Sequence, residues 1–72
     1  MYQLIVKNDI TKYKRKLEIS DRELAKMTGL SKSTISDVET GKHYPSILTA
    51  LMLARALNVS VDMLFWLEEK NE

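Results

Sequence analysis

Two short helical patterns separated by a single glycine constrain this chain more than any other feature. Residues 20–28 and 31–40 both place apolar side chains at helical spacing, and Gly29 lies between them. The first pattern opens with Ser20 and Glu23, a capping box in which each side chain bonds a backbone N–H at the helix start. Glycine favours the left-handed conformation that ends a helix. The sequence therefore predicts two helices joined by a tight turn.

The second of these helices carries polar residues where alanine or leucine would make a better helix. Ile35 and Val38 give it an apolar inner face, while its first turns hold short hydroxyl, ammonium and carboxylate side chains. A solvated outer face is one interpretation. The other is a helix whose outer side touches a polar partner, which requires hydrogen-bond donors and acceptors on that side.

The remaining patterns predict an all-α fold, a compact five-helix bundle. Helical spacing extends over residues 9–17, 47–57 and 61 to about 69. Residues 1–7 form an N-terminal arm rich in Ile, Val and Tyr, which favours a short strand or an extended segment. A lone strand is not stable, so this arm needs a partner, such as the same arm of a second subunit.

Length and composition exclude several classes of protein. The 72 residues make a single domain with a thin core, in which 20–40 is the helix-turn-helix segment and 61–72 the last helix with an acidic tail. There is no cysteine and only one histidine, so we expect neither a disulfide nor a metal site. No nucleophile–base pair or phosphate-binding loop is recognisable, so we expect no enzyme and no cofactor. No apolar run approaches the roughly 20 residues of a membrane span, and a cytoplasmic protein is the simplest expectation.

The charge is unevenly distributed along the chain. Residues 1–60 hold ten basic and six acidic side chains, whereas residues 61–72 hold one basic and four acidic ones. The body is therefore mildly basic and the tail acidic. This balance is compatible with a polyanionic partner but does not by itself indicate nucleic acid.

The chain resembles the DNA-binding domains of Cro and phage repressors, the xenobiotic-response-element (XRE) family. The resemblance runs from about Asn8 to Phe65. It rests on S-x-x-E-L-A at 20–25, G-L-S at 29–31, S-x-S-T-I-S-x-V-E at 31–39, G-K at 41–42, P-S at 45–46 and A-x-x-L-N-V-S-V-D at 54–62. It implies that 20–28 is a positioning helix and that 31–40 is the recognition helix, which lies in the major groove of DNA.

The resemblance also implies a set of DNA-contacting residues. Lys32, Ser33, Ser36 and Asp37 would lie where the family touches base edges, and flanking residues would approach the phosphates or brace these contacts. The predicted set is Arg22, Ser31, Lys32, Ser33, Thr34, Ser36, Asp37, Thr40, Lys42 and His43. Lys14 and Glu39 occupy the places of a family arginine–glutamate pair, so a structural ion pair is expected.

Three residues depart from the family pattern. Asp21 stands where glutamine is common, and there it would weaken phosphate attraction. Glu18 replaces a common glycine in the first turn, so the shape of that turn is open. Asp37 would accept from a cytosine amino group, orient Lys32 or Ser33, or simply avoid the phosphates. For Lys32, a phosphate and a guanine contact are both open.

Apolar residues on the predicted central helix and the predicted last helix exceed what one thin core needs. They either form a wider core covered by the last helix or a two-fold dimer interface centred on Trp66, and we favour the dimer. The residues are Leu48, Met52, Met63, Trp66 and Leu67. A symmetric dimer would present two recognition helices to half-sites roughly 34 Å apart.

Taken together, these expectations describe a small dimeric transcription regulator, most simply a repressor of a palindromic operator. Its partner would be double-stranded DNA. Two alternatives stay open: an antitoxin-like DNA-binding protein that also binds a protein partner, and a protein-interaction module that reuses the fold without DNA.

Overall fold

The computed structural model describes residues 2–71; Met1 of the predicted arm and Glu72 of the predicted acidic tail lie outside them. The helices and strands follow one another as β1 (Tyr2–Asn8), α1 (Ile10–Leu17), α2 (Asp21–Thr28), α3 (Lys32–Glu39), α4 (Ile47–Ala56), α5 (Val61–Leu64) and β2 (Phe65–Asn71). The strands β1 and β2 pair antiparallel, with Asn8 opposite Phe65 at the end nearest the helices. All five predicted helices are present, and a two-stranded sheet accompanies them.

The all-α expectation was wrong at the C-terminus. The last helix ends at Leu64, and Phe65 already has extended backbone angles (φ −127°, ψ 143°) at the start of β2. A short apolar run such as residues 65–67 suits a helix or a strand equally well by periodicity. The strand β1 favours an extended conformation for this run, because the backbone N–H and C=O groups of β1 gain partners only if the C-terminal segment is extended. The arm thus finds its strand partner within its own chain.

The core draws side chains from every helix. The buried apolar residues are Ile10, Leu24, Ile35, Val38, Leu53, Ala54, Leu57 and Leu64. Because α1 to α5 each contribute at least one of them, the five helices share a single core. Among residues 2–71, no helix is long and apolar enough to span a membrane.

The predicted turn between α2 and α3 is confirmed in detail. The Ser20 hydroxyl accepts from the Glu23 N–H at 3.1 Å, and the Glu23 carboxylate accepts from the Ser20 N–H at 3.2 Å. Gly29 ends α2 in the left-handed conformation (φ 77°). The buried hydroxyl of Thr28 donates to the Leu24 carbonyl (2.8 Å) and accepts from the Leu30 N–H (3.2 Å). These bonds fix the direction in which α3 leaves α2.

The turn between α1 and α2 keeps a glycine-like shape without a glycine. Glu18 adopts φ 56° and ψ 41°, the left-handed region, and its N–H donates to the Arg15 carbonyl at 3.1 Å. A residue with a Cβ pays roughly 1–2 kcal/mol to adopt this conformation. The substitution that sets Glu18 apart from the family pattern therefore leaves strain in the turn rather than a new turn shape.

Candidate nucleic-acid interface

Helix α3 turns one face into the core and the other to solvent. Ile35 and Val38 are buried, whereas Lys32, Ser33 and Ser36 are exposed. Residues three and four apart share a helix face, so these three polar side chains form one continuous surface. Within residues 2–71 their side chains make no hydrogen bond or ion pair with the rest of the protein, and all three are free to meet a partner.

A network of charged and polar groups braces the inner side of α3. The Lys14 ammonium lies 2.9 Å from a carboxylate oxygen of Glu39, which confirms the predicted ion pair. The same ammonium donates to Asp21 at the start of α2, and the Thr11 hydroxyl donates to Glu39. One cation from α1 therefore ties the first turn of α2 to the last turn of α3.

Sequence reasoning missed the part of Asp21 in this network. It treated Asp21 only as a charge that weakens phosphate attraction, whereas the structure pairs this carboxylate with Lys14. A signal was present in the sequence, because Asp21 lies only seven residues after Lys14, the residue that the family pattern already pairs with Glu39. Only the fold shows that one lysine serves both.

The environment of Lys14 keeps its ammonium charged. Burial by itself lowers the pKa of Lys14, but hydrogen bonds to Asp21 and Glu39, together with their negative charges, raise the pKa above the usual 10.5. A raised folded-state pKa contributes stability that is fully present below 10.5 and is lost as the pH rises through the folded value. At neutral pH the ion pairs of Lys14 with Asp21 and Glu39 are therefore intact.

Asn8 holds the C-terminal end of α3. Its side-chain amide donates to the carbonyls of Val38 (3.1 Å) and Glu39 (3.3 Å), and the Val38 carbonyl also accepts from the Gly41 N–H (3.2 Å). Its side-chain oxygen accepts from the Ile10 N–H at 3.1 Å, as expected for a residue at the start of α1. Asn8 thus links the sheet, α1 and α3.

Several predicted DNA-contacting hydroxyls are engaged at the ends of α3. Ser31 accepts from the Thr34 N–H (3.0 Å) and donates to the Thr34 hydroxyl (2.9 Å), so it caps the helix. The Thr40 hydroxyl donates to the Ser36 carbonyl at 2.9 Å. These bonds give Ser31 and Thr40 a structural task, and a role for either in DNA contact stays a prediction.

The loop after α3 brings further predicted residues beside that helix. The His43 N–H donates to the Asp37 carbonyl oxygen at 3.1 Å, which folds the loop back against α3. Lys42 and His43 are exposed, while Asp37 is half-buried and lines a cavity of about 330 Å³ between α3 and α4. Within residues 2–71 the Asp37 carboxylate has no ion-pair partner.

Arg22 completes the set from another element. It lies exposed in the first turn of α2, one residue after Asp21. The predicted residues therefore come from three segments that the core and the Lys14 network hold together: the start of α2, the outer face of α3 and the loop that follows it.

The five predicted dimer residues lie on α4, α5 and β2, and their part in a dimer stays a prediction. Met52 is half-buried beside Met27 and Thr28 of α2. Trp66 and Leu67 are neighbours on β2, and successive side chains of a strand point to opposite faces. The prediction placed both on a helix that in fact ends at Leu64. Leu48 and Met63 are exposed on the helices, as a surface contact requires.

The sequence matches a known protein family and several known regulators over most of its length. The helix-turn-helix family HTH_3 matches residues 10–64, from the start of α1 to the end of α5. The HTH-type transcriptional regulator YgzD of Bacillus subtilis (strain 168) is 30% identical over 66 residues, which cover 92% of this chain and all of that protein. An HTH-type transcriptional regulator of Archaeoglobus fulgidus is 33% identical over 61 residues, covering 85% of this chain and 86% of that protein.

Solved structures agree with the sequence relatives. The P22 c2 repressor, solved with the synthetic operator 9T, superposes with a TM-score of 0.69 at 36% identity, over 74% of this chain and 80% of the repressor chain. The controller protein C.AhdI of Aeromonas hydrophila gives 0.71 at 28% identity, over 75% and 82%. A putative DNA-binding protein of Bacteroides fragilis gives 0.75 at 29% identity, over 86% and 100%. The chain belongs to the HTH_3 family of XRE-type helix-turn-helix proteins, and it is a DNA-binding transcriptional regulator.

Proposed function

We propose that this regulator is a small dimeric repressor that inserts α3 into the major groove of a palindromic operator. The observation that carries the proposal is the contrast between the two sides of α3. Its inner side is fixed by Glu39 and the core, whereas Lys32, Ser33 and Ser36 stand exposed and unbonded on its outer side. A rigid helix with free polar groups on short stems suits the reading of base edges. The similarity to a repressor solved on operator DNA supports it.

Base reading is assigned to the outer face of α3. Ser33 and Ser36 offer hydroxyls that both donate and accept, and Lys32 offers a cation for a guanine edge or a phosphate. The unpaired carboxylate of Asp37 suits a cytosine amino group, because it carries only acceptors. These residues would determine which sequence is bound.

Phosphate contacts are assigned to the flanks. Arg22 at the start of α2 and Lys42 with His43 in the loop are exposed donors on either side of α3. Ser31, Thr34 and Thr40 hold the ends of α3, and the backbone N–H groups of its first turn would face a phosphate. Such contacts set the register on the duplex and add affinity for any sequence.

Dimerisation is proposed from the size of the core and the exposed apolar residues. A chain of 72 residues buries little apolar surface, and small domains commonly gain stability from a partner. Two copies related by a two-fold axis would read two half-sites about one helical turn apart, roughly 34 Å.

Selection of bound fragments from random duplex DNA at near-physiological salt tests the proposed function. We expect enrichment of a palindrome whose half-sites lie roughly one helical turn apart. Enrichment of a single half-site would support the reading of DNA bases by α3 and would contradict the proposed dimer. If no sequence is enriched and binding vanishes with modest salt, sequence-specific reading is wrong and a protein partner becomes the better explanation.

A further inference from the structure

Helix α3 is completed at its C-terminal end by a side chain from a distant part of the chain. The last carbonyls of a helix have no helical partner and need one from elsewhere. The Gly41 N–H donates to the Val38 carbonyl at 3.2 Å. Among residues 2–71, the Glu39 carbonyl accepts a hydrogen bond only from the Asn8 side-chain amide, 31 residues earlier in the chain. The end of α3 therefore depends on Asn8.

The Asn8 side chain reaches α3 from the point where the sheet meets the helices. Asn8 is the last residue of β1 and pairs with Phe65 at the start of β2. The N–H of the next residue, Asp9, donates to the Leu64 carbonyl at the end of α5 (3.0 Å). These contacts with the C-terminal part of the chain hold the Asn8 backbone, so the amide has a fixed position beside α3.

Asn8 bonds α1 and α3 through two different atoms. Its side-chain oxygen accepts from the Ile10 N–H in the first turn of α1, whereas its Nδ2 amide donates to the Val38 and Glu39 carbonyls of α3. Aspartate makes the same bond to the N–H two residues on, and serine makes it more weakly. Because neither residue has an amide, a substitution at Asn8 can remove the bonds to α3 and keep the bond to α1.

We propose that the Asn8 amide is a positioning group for the reading of bases by α3, an inference that rests on the function proposed above. Hydrogen bonds to base edges weaken steeply when their geometry is displaced. Ser36 on the outer face of α3 lies three residues before Glu39, less than one helical turn away. A shift at the end of α3 therefore displaces a base-reading side chain.

The positioning role concerns discrimination between sequences more than affinity for DNA in general. Affinity for a random duplex rests on phosphate contacts, which carry no sequence information. The proposed phosphate contacts of Arg22 and Lys42 come from segments that flank α3. Loss of the Asn8 amide should therefore lower the affinity for the operator more than the affinity for random DNA.

Asn8→Asp and Asn8→Ser test this role. The charge of Asn8→Asp weakens binding to any DNA, so the measured quantity is the ratio of two affinities: for the duplex that selection recovers and for a random duplex of equal length. Fluorescence anisotropy gives both, at a temperature at which each variant is shown to be folded. We expect the ratio to fall by on the order of 10-fold in both variants, as the loss of one to two hydrogen bonds implies.

Two controls separate positioning from charge and from stability. Gln3→Glu adds the same charge to an exposed residue of β1, at the end of the strand far from the helices. Ala56→Gly weakens α4, which lies outside the proposed reading face, because glycine is a poor helix former. Both controls should keep the affinity ratio within about threefold of the wild type.

Hydrogen exchange of the free ¹⁵N-labelled proteins gives a second measurement that needs no DNA. Loss of the Asn8 amide should loosen the last turn of α3 and speed exchange of the Thr40 and Gly41 N–H groups by on the order of 10-fold. The same two N–H groups should exchange at wild-type rates in Gln3→Glu.

The outcomes separate the role of Asn8 from the proposed function. A wild type that prefers its operator, with an unchanged ratio in Asn8→Asp and Asn8→Ser, would overturn the positioning role and leave the proposed function standing. Equal falls in the Asn8 variants and in Ala56→Gly would also overturn it, because any loss of stability would then have the same effect. A wild type without preference for any sequence would overturn both.

Discussion

Two consecutive helices, α3 and α4, each expose a face that has no partner among residues 2–71, and the two faces differ in polarity and charge. The face of α3 presents an ammonium group and hydroxyls, on a helix that Glu39 and Asn8 fasten at its C-terminal end. The face of α4 presents Leu48 and Leu51, on a helix whose other side is in the core. The polar face of α3 is suited to contact with hydrated, charged DNA. The apolar face of α4 is suited to burial against another apolar surface. One small domain therefore exposes a polar face and an apolar face on consecutive helices.

Removal of the Lys14 ammonium, which pairs with Asp21 and Glu39 behind α3, should have the largest effect on the free energy of unfolding. Lys14→Met leaves the carboxylates of Asp21 and Glu39 together without their cation. The Lys14 and Glu39 side chains are only 14% and 16% exposed, so the loss should approach that of a buried pair, about 2–3 kcal/mol in the free energy of unfolding. Urea denaturation measures it. Lys12→Met on the exposed side of α1 is the control and should stay within about 0.5 kcal/mol; equal losses in both variants would refute the brace.

The pH dependence of stability sharpens the same point. Because the pKa of Lys14 is raised, the wild type should lose stability as the pH rises above 10.5, and Lys14→Met should lack this component of the loss. Identical alkaline profiles for the two proteins, measured by thermal unfolding at a series of pH values, would count against a charged Lys14 as the link between α1, α2 and α3.

The reading face of α3 should respond to Ser33→Ala in specificity and not in stability. Loss of one hydroxyl contact to a base edge should reduce discrimination at one operator position by about 1 kcal/mol, roughly fivefold to tenfold. Competition binding with operators that differ at single positions gives the value. Ser60→Ala is a suitable comparison, since Ser60 is exposed and makes no side-chain cap bond at the start of α5. Unchanged preferences would remove Ser33 from the readout.

The flank of α3 should respond uniformly across sequences. Lys42→Ala removes one proposed phosphate contact, so affinity for specific and random duplexes should fall by the same factor. The slope of log K against log salt should flatten by about 0.9. Lys70→Ala on β2 is the control for a lysine outside the proposed interface. A slope that Lys42→Ala leaves unaltered would place Lys42 away from the phosphates.

The smallest effect is expected in the turn before α2. Glu18→Gly relieves a left-handed conformation that glycine adopts without strain, and the gain should be about 0.5–1 kcal/mol after the greater chain entropy of glycine is subtracted. Thermal unfolding measures this. DNA affinity should be unchanged, because the turn lies outside both faces. A loss of stability would mean that the Glu18 side chain has a contact worth more than the strain.

Local signals were sufficient to predict much of this fold. Ser20, Glu23 and Gly29 marked the turn between α2 and α3, because capping is decided by neighbours in sequence. The pattern of Ile35 and Val38 correctly identified the inner face of α3. The ion pair between Lys14 and Glu39 was found only through the family resemblance, since its members are 25 residues apart.

The predictions that were wrong concern contacts between different helices and strands. The strand β2 forms because β1, more than fifty residues earlier, supplies its partner, and no local pattern in residues 65–71 reports that. The helical assignment of Trp66 and Leu67 was wrong for the same reason, while their part in a dimer stays a prediction. Asp21 was misjudged because its cation sits on another helix.

The most direct test of the account is a titration of the ¹⁵N-labelled protein with the duplex that selection recovers, followed in ¹H–¹⁵N spectra. We expect the largest shifts on the outer face and flanks of α3, at Lys32, Ser33, Ser36 and Lys42, while Leu48 and Leu51 on α4 stay nearly unchanged. Largest shifts on α4 or on β2, with α3 unaffected, would contradict it.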